Sequence, residues 1–67
     1  MSKLKQLRTD RKFSQKELGD IIGVSQQTVG SWERGYRTPT PRDMQKLEDI
    51  FEVDKEIIFF EAFSYSK

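Results

Sequence analysis

Between Ser14 and Gly35 two helix-starting serines alternate with two helix-stopping glycines, and this punctuation constrains the fold more than any other feature of the chain. Ser14-Gln15-Lys16-Glu17 has the form of a capping box, in which the serine hydroxyl and the glutamate carboxylate each satisfy an N–H that the first helical turn leaves without a partner. Gly23 offers the positive φ that closes a helix. Ser25 then reads as the cap of a new helix, and Gly35 as its end.

Two short helices joined by a three- or four-residue turn containing glycine form a helix-turn-helix unit, here at residues 14–35. Gly19 agrees with it. A mid-helix glycine costs about 1 kcal/mol against alanine, and close approach of the next helix across that face would compensate. Outside the unit, Ser2 caps a first helix running to about Asp10, with Leu4, Leu7 and Arg8 as its inward stripe. Leu18, Ile21 and Ile22 share the expected inner face of the second helix. Thr40-Pro41-Arg42-Asp43 sets a cap, a first-turn proline and an early acid in order. The helix that follows carries Met44, Leu47, Ile50 and Phe51 at three- and four-residue spacing. Asp54 is placed to cap a last short helix, and GYRTPT is the only real loop. The expected architecture is all-α, five short helices around one core, in a single domain spanning residues 1–67.

Composition limits what such a domain can do. At 67 residues, it buries only about 60% of its unfolded surface. The chain has no cysteine and no histidine, which removes disulfides and the usual zinc or haem ligands. No metal, cofactor or small-molecule ligand is expected. Neither a phosphate-cradling glycine loop nor paired acids in an apolar pocket is visible, so the reading is of a non-enzyme with no catalytic residues. No apolar run approaches the length of a membrane span and no signal-like segment opens the chain, so a cytoplasmic protein without a membrane partner is expected. The net charge of +1 hides an asymmetry. Residues 1–42 hold nine Lys/Arg against four Asp/Glu, or +5, whereas residues 43–67 hold three against seven, or −4. A basic front and an acidic rear suit a polyanion bound on one surface.

The third helix shows how. At about 100° per residue, Val29 and Trp32 point inward while Gln26, Gln27, Gly30, Ser31 and Arg34 share an outer arc of roughly 140°. Solvated faces ordinarily carry more Lys and Glu. An amide both donates and accepts, matching N6 and N7 of adenine, and small neighbours let a helix sit deep in the major groove.

At this point SQKELGDIIGVSQQTVGSWERG resembles the helix-turn-helix of the Cro/repressor-type regulators of phages and bacteria, often called Xre-like, over about residues 3–58. The resemblance implies a compact repressor-like domain and a role as a sequence-specific transcriptional regulator on double-stranded DNA. It implies that Gln15 touches phosphate and braces the recognition helix. Gln26 and Gln27 stand where members read bases, as glutamines do in lambdoid phage repressors. Thr28 and Ser31 fall where members meet a phosphate or a base. Arg34, Tyr36, Arg37 and Thr38 occupy the loop that follows the DNA backbone, although Arg37 and Arg42 read equally well as solvated charges and Tyr36 as cover for the core edge. Arg8 and Glu33 match a pair that forms an internal salt bridge in many members. Gly30 departs from the family, where a longer base-reaching side chain is common. Either fewer bases are read, or the glycine admits a thymine methyl or sugar.

The tail IIFFEAFSYSK holds more apolar residues than one short helix can bury, and it alternates after Phe60 as an extended segment would. Because paired half-sites need two recognition helices about 34 Å apart, a homodimer is expected through residues 59–67, with Phe59, Phe60, Phe63 and Tyr65 at the interface. The competing arrangement folds the tail back over its own core. The expected function is a repressor on a palindromic operator; the alternative is a protein-interaction module, an antitoxin or adaptor, on the same fold.

Overall fold

A computed structural model of the chain describes residues 2–59. Among these residues there are five helices and no strand: α1 (Lys3–Asp10), α2 (Gln15–Ile22), α3 (Gln26–Arg34), α4 (Pro41–Phe51) and α5 (Lys55–Ile58). Side-chain caps set the starts of the first four. The Ser2, Ser25 and Thr40 hydroxyls accept from the N–H of Lys5, Thr28 and Asp43 respectively. At α2 the capping box closes in both directions, with Glu17 N–H on Ser14 Oγ at 2.9 Å and Ser14 N–H on Glu17 Oε1 at 2.8 Å. Asp54 precedes α5 without a side-chain cap bond. That role passes to the preceding helix, where Glu48 Oε2 accepts from Lys55 N–H at 2.6 Å.

Gly23 and Gly35 end α2 and α3 with φ of +96° and +79°. The structure adds two left-handed residues that are not glycine, Lys12 after α1 and Glu52 at the end of α4, with φ of +61° and +57°. No glycine marks either turn in the sequence, so both were invisible there.

Every helix sends residues into one core: Leu4 from α1, Leu18 and Ile22 from α2, Val29 and Trp32 from α3, Met44, Leu47 and Phe51 from α4, then Ile58 and Phe59. Leu7, Phe13, Val24, Ile50 and Val53 pack around it. Ile21 departs from expectation, being 52% exposed. The inner face of α2 is centred on Leu18, Gly19 and Ile22 because the turn into α3 closes over Gly19, and that rotation leaves Ile21 in solvent. Phe59 corrects the tail reading: it is 8% exposed within its own core, its N–H bonded to the Lys55 carbonyl at 2.9 Å. One turn past Lys55 the chain is still curling inward, so Phe59 is not offered to a second protomer. Phe60, Phe63, Tyr65 and the expected extended segment lie outside the described residues.

Candidate nucleic-acid interface

Gly19 fixes how α3 is presented. A Cβ at that position would lie 2.6 Å from the Val24 carbonyl oxygen and 3.3 Å from Ser25 backbone atoms. The Gly19 carbonyl in turn accepts from Gly23 N–H at 2.7 Å and Val24 N–H at 2.9 Å. The three-residue turn is therefore laid directly on α2, and α2 and α3 share the most extensive helix–helix contact of the fold. At its far end α3 closes with Gly35 N–H on the Trp32 carbonyl and Tyr36 N–H on the Ser31 carbonyl, a Schellman pattern.

Val29 and Trp32 anchor the inner face, at 0% and 7% exposure. Gln26, Gln27 and Arg34 are exposed and Ser31 is half-buried. Gly30 is buried, against the expectation of an open outer arc. Its missing side chain is replaced by two others, since a Cβ there would lie 3.1 Å from Arg34 Nη1 and 3.6 Å from the Gln15 amide. Thr28 is half-buried, its hydroxyl 3.0 Å from that of Ser25.

One polar cluster holds α3 to the rest of the domain. Arg8 Nε donates to Glu33 Oε2 at 2.5 Å and Nη2 to Oε1 at 3.2 Å, while Nη1 reaches the Phe13 carbonyl at 2.8 Å. Gln15 Nε2 adds a bond to Glu33 Oε1 at 3.1 Å. The two charged side chains are 10% and 4% exposed. The pair read from the sequence as an internal salt bridge is thus present, two-pronged and shielded, and the bracing of α3 by Gln15 is direct. Among the described residues no buried side-chain polar atom lacks a partner.

The loop after α3 holds Tyr36, Arg37 and Thr38, all exposed. Tyr36, at 75% exposure, does not cover the core edge; the Arg34 guanidinium lies over its ring, 5.2 Å from the centroid. Pro39, which the sequence reading passed over, is the buried residue of this loop. Two basic side chains are engaged by the protein's own backbone. Arg11 reaches the Ile50 carbonyl at 3.2 Å and lies over the Phe51 ring, and Lys46 bonds the Ile22 carbonyl at 2.9 Å. Both cap helix C-termini, which the sequence signals only as unremarkable cations.

Among the described residues no helix is long and apolar enough to cross a membrane. The helix-turn-helix family profile matches residues 4–58. The chain is 33% identical over 63 residues to the uncharacterized HTH-type transcriptional regulator YgzD of Bacillus subtilis, covering 82% of this chain and 96% of that protein. It is 30% identical over 56 residues to the SPbeta prophage-derived uncharacterized HTH-type transcriptional regulator YonR of Bacillus subtilis, covering 84% of this chain and 52% of that one. With the HTH-type transcriptional regulator AnsR of the same organism the identity is 29% over 52 residues, or 78% of this chain and 45% of AnsR. The chain thus spans about half the length of YonR and AnsR. No solved structure gives a significant match. The match over α1 to α5, on a fold whose second and third helices are capped, turned and packed as described, places the chain in the helix-turn-helix family, alongside proteins named as transcriptional regulators.

Proposed function

We propose that this chain is a single DNA-binding domain, residues 1–67, which represses transcription by occupying a palindromic operator as a homodimer. The observation that carries the reading is the division of α3: Val29 and Trp32 fix it to the core while Gln26 and Gln27, at its first turn, are left in solvent. In the major groove those amides read adenine, each good bidentate pair discriminating by about 1–3 kcal/mol. Gln15, Arg34, Arg37 and Thr38 supply contacts to the DNA backbone around them, and Thr28 and Ser31 meet a phosphate or a base. Two copies are needed to engage two half-sites about one helical turn apart, and residues 60–67 are the candidate segment for joining them.

Selection of bound sequences from random duplex DNA tests this. Enriched duplexes with dyad symmetry are expected, and Gln26→Ala or Gln27→Ala should weaken preference at single base pairs by about 1–3 kcal/mol. An adaptor or antitoxin on this fold would enrich no duplex and would be indifferent to both substitutions. Sedimentation at micromolar concentration, with and without the operator, tests the dimer; only monomer in both would end that part of the reading.

A further inference from the structure

The Arg34 side chain is held on three sides. Its guanidinium is stacked on Tyr36, 5.2 Å from the ring centroid. It also runs back along α3 to Gly30, where the absent side chain leaves Nη1 room to lie 3.1 Å from the point a Cβ would occupy. The Gln15 amide, 3.6 Å from that same point, bounds it on the α2 side. There the three helices enclose a shallow hollow lined by Ser2, Lys5, Gln15, Gly30, Glu33 and Arg34. The one carboxylate on its wall, Glu33, is already neutralised by Arg8 and bonded by Gln15. Among the described residues neither Lys5 nor Arg34 has an ion-pair partner. The hollow therefore carries two cations and no free anion.

Tyr36 is the part without an explanation. A ring 75% exposed contributes little to folding, and a flexible arginine at a helix end does not need one. A cation–π contact does restrict where the guanidinium points. That restriction matters for binding, because ordering a rotamer-rich side chain on association costs about 0.5–1.5 kcal/mol, which pre-positioning removes. We propose that Tyr36 and Gly30 are positioning residues that hold Arg34 over this hollow, where Arg34 and Lys5 together grip one backbone phosphate of the operator. This rests on the DNA-binding reading above and gives Tyr36 a role through Arg34 in place of its own contact with DNA. It also accounts for Gly30 by the room that Arg34 takes.

Two measurements test it, one without DNA. In the free protein the Arg34 side-chain protons should show upfield ring-current shifts in the NMR spectrum, kept in Tyr36→Phe and lost in Tyr36→Leu. Unshifted Arg34 protons in the unsubstituted protein overturn the proposal whatever the protein binds. In the second, affinity for the selected operator is measured across a double-mutant cycle. Tyr36→Leu should weaken binding about two- to five-fold when Arg34 is present, and not at all in an Arg34→Ala background. Arg34→Ala and Lys5→Ala should each weaken binding to all duplexes alike and lower the salt slope by about 0.9. Equal losses from Tyr36→Leu in both backgrounds would mean that the ring touches DNA itself, and a loss from Arg34→Ala confined to one base pair would mean that Arg34 reads a base; either result overturns it. If the unsubstituted protein prefers no duplex, the DNA-binding reading falls, and the phosphate grip falls with it even where the ring-current shift is seen.

Discussion

Glu33 sits near the C-terminal end of α3, where the helix dipole disfavours a carboxylate. Arg8 and Gln15 answer that from two other helices, and the charges are only 10% and 4% exposed. Removing one partner of such a pair leaves a buried charge alone, at a cost of about 3–5 kcal/mol. A domain this small has about 3–5 kcal/mol in total. Arg8→Ala should therefore leave a large fraction of the protein unfolded at room temperature, seen as loss of helical circular dichroism and of a cooperative urea transition. Gly30 makes the opposite prediction. Its nearest neighbour is the far end of a flexible arginine, not backbone, so Gly30→Ala should keep the fold and gain about 0.5–1 kcal/mol from helix propensity. A urea midpoint below that of the unsubstituted protein would show that Arg34 cannot yield.

At the scale of the helices, the decisive contact is the turn lying on α2. Gly19→Ala improves helix propensity by about 1 kcal/mol yet sets a methyl 2.6 Å from a backbone oxygen. Backbone cannot rotate aside as Arg34 can, and overpacking of this kind costs about 1–3 kcal/mol. The net expectation is destabilisation, with α3 displaced from α2 and operator affinity falling with it. Alanine at Gly19 and at Gly30 should thus shift the urea midpoint in opposite directions, although both sites are buried helical glycines. Glu52 supplies a further case. It ends α4 in the left-handed region at φ 57°, a conformation costing a side-chain-bearing residue about 1–2 kcal/mol. Glu52→Gly should raise thermal stability by up to about 1 kcal/mol once glycine's greater unfolded-state freedom is subtracted, without touching the α3 face.

Over the whole molecule, the charge asymmetry overstates the binding surface. The +5 of residues 1–42 includes Arg8 and Arg11, and both are engaged by the protein itself, Arg8 buried against Glu33 and Arg11 on the carbonyls that end α4. Log affinity for DNA should fall with log salt at about −0.9 per phosphate neutralised. Arg11→Ala should leave that slope unchanged while lowering stability by about 1 kcal/mol. A slope reduced by about one in that variant would place Arg11 on a phosphate instead.

The sequence alone determined the elements. Side-chain caps and left-handed glycines are local devices, acting within three or four residues, so α1 to α4 and the turn between α2 and α3 were legible in it. So was the inward pairing of Val29 with Trp32, which needs only the helical period. Tertiary packing decided everything that depends on a neighbour distant in sequence. It buried Gly30 beneath Arg34 and Gln15, rotated Ile21 out to solvent, drew Phe59 into the core and turned Arg11 and Lys46 into helix caps. A helical wheel gives each residue's direction around its own axis but not which helix lies opposite, and that second fact separates an open face from a covered one.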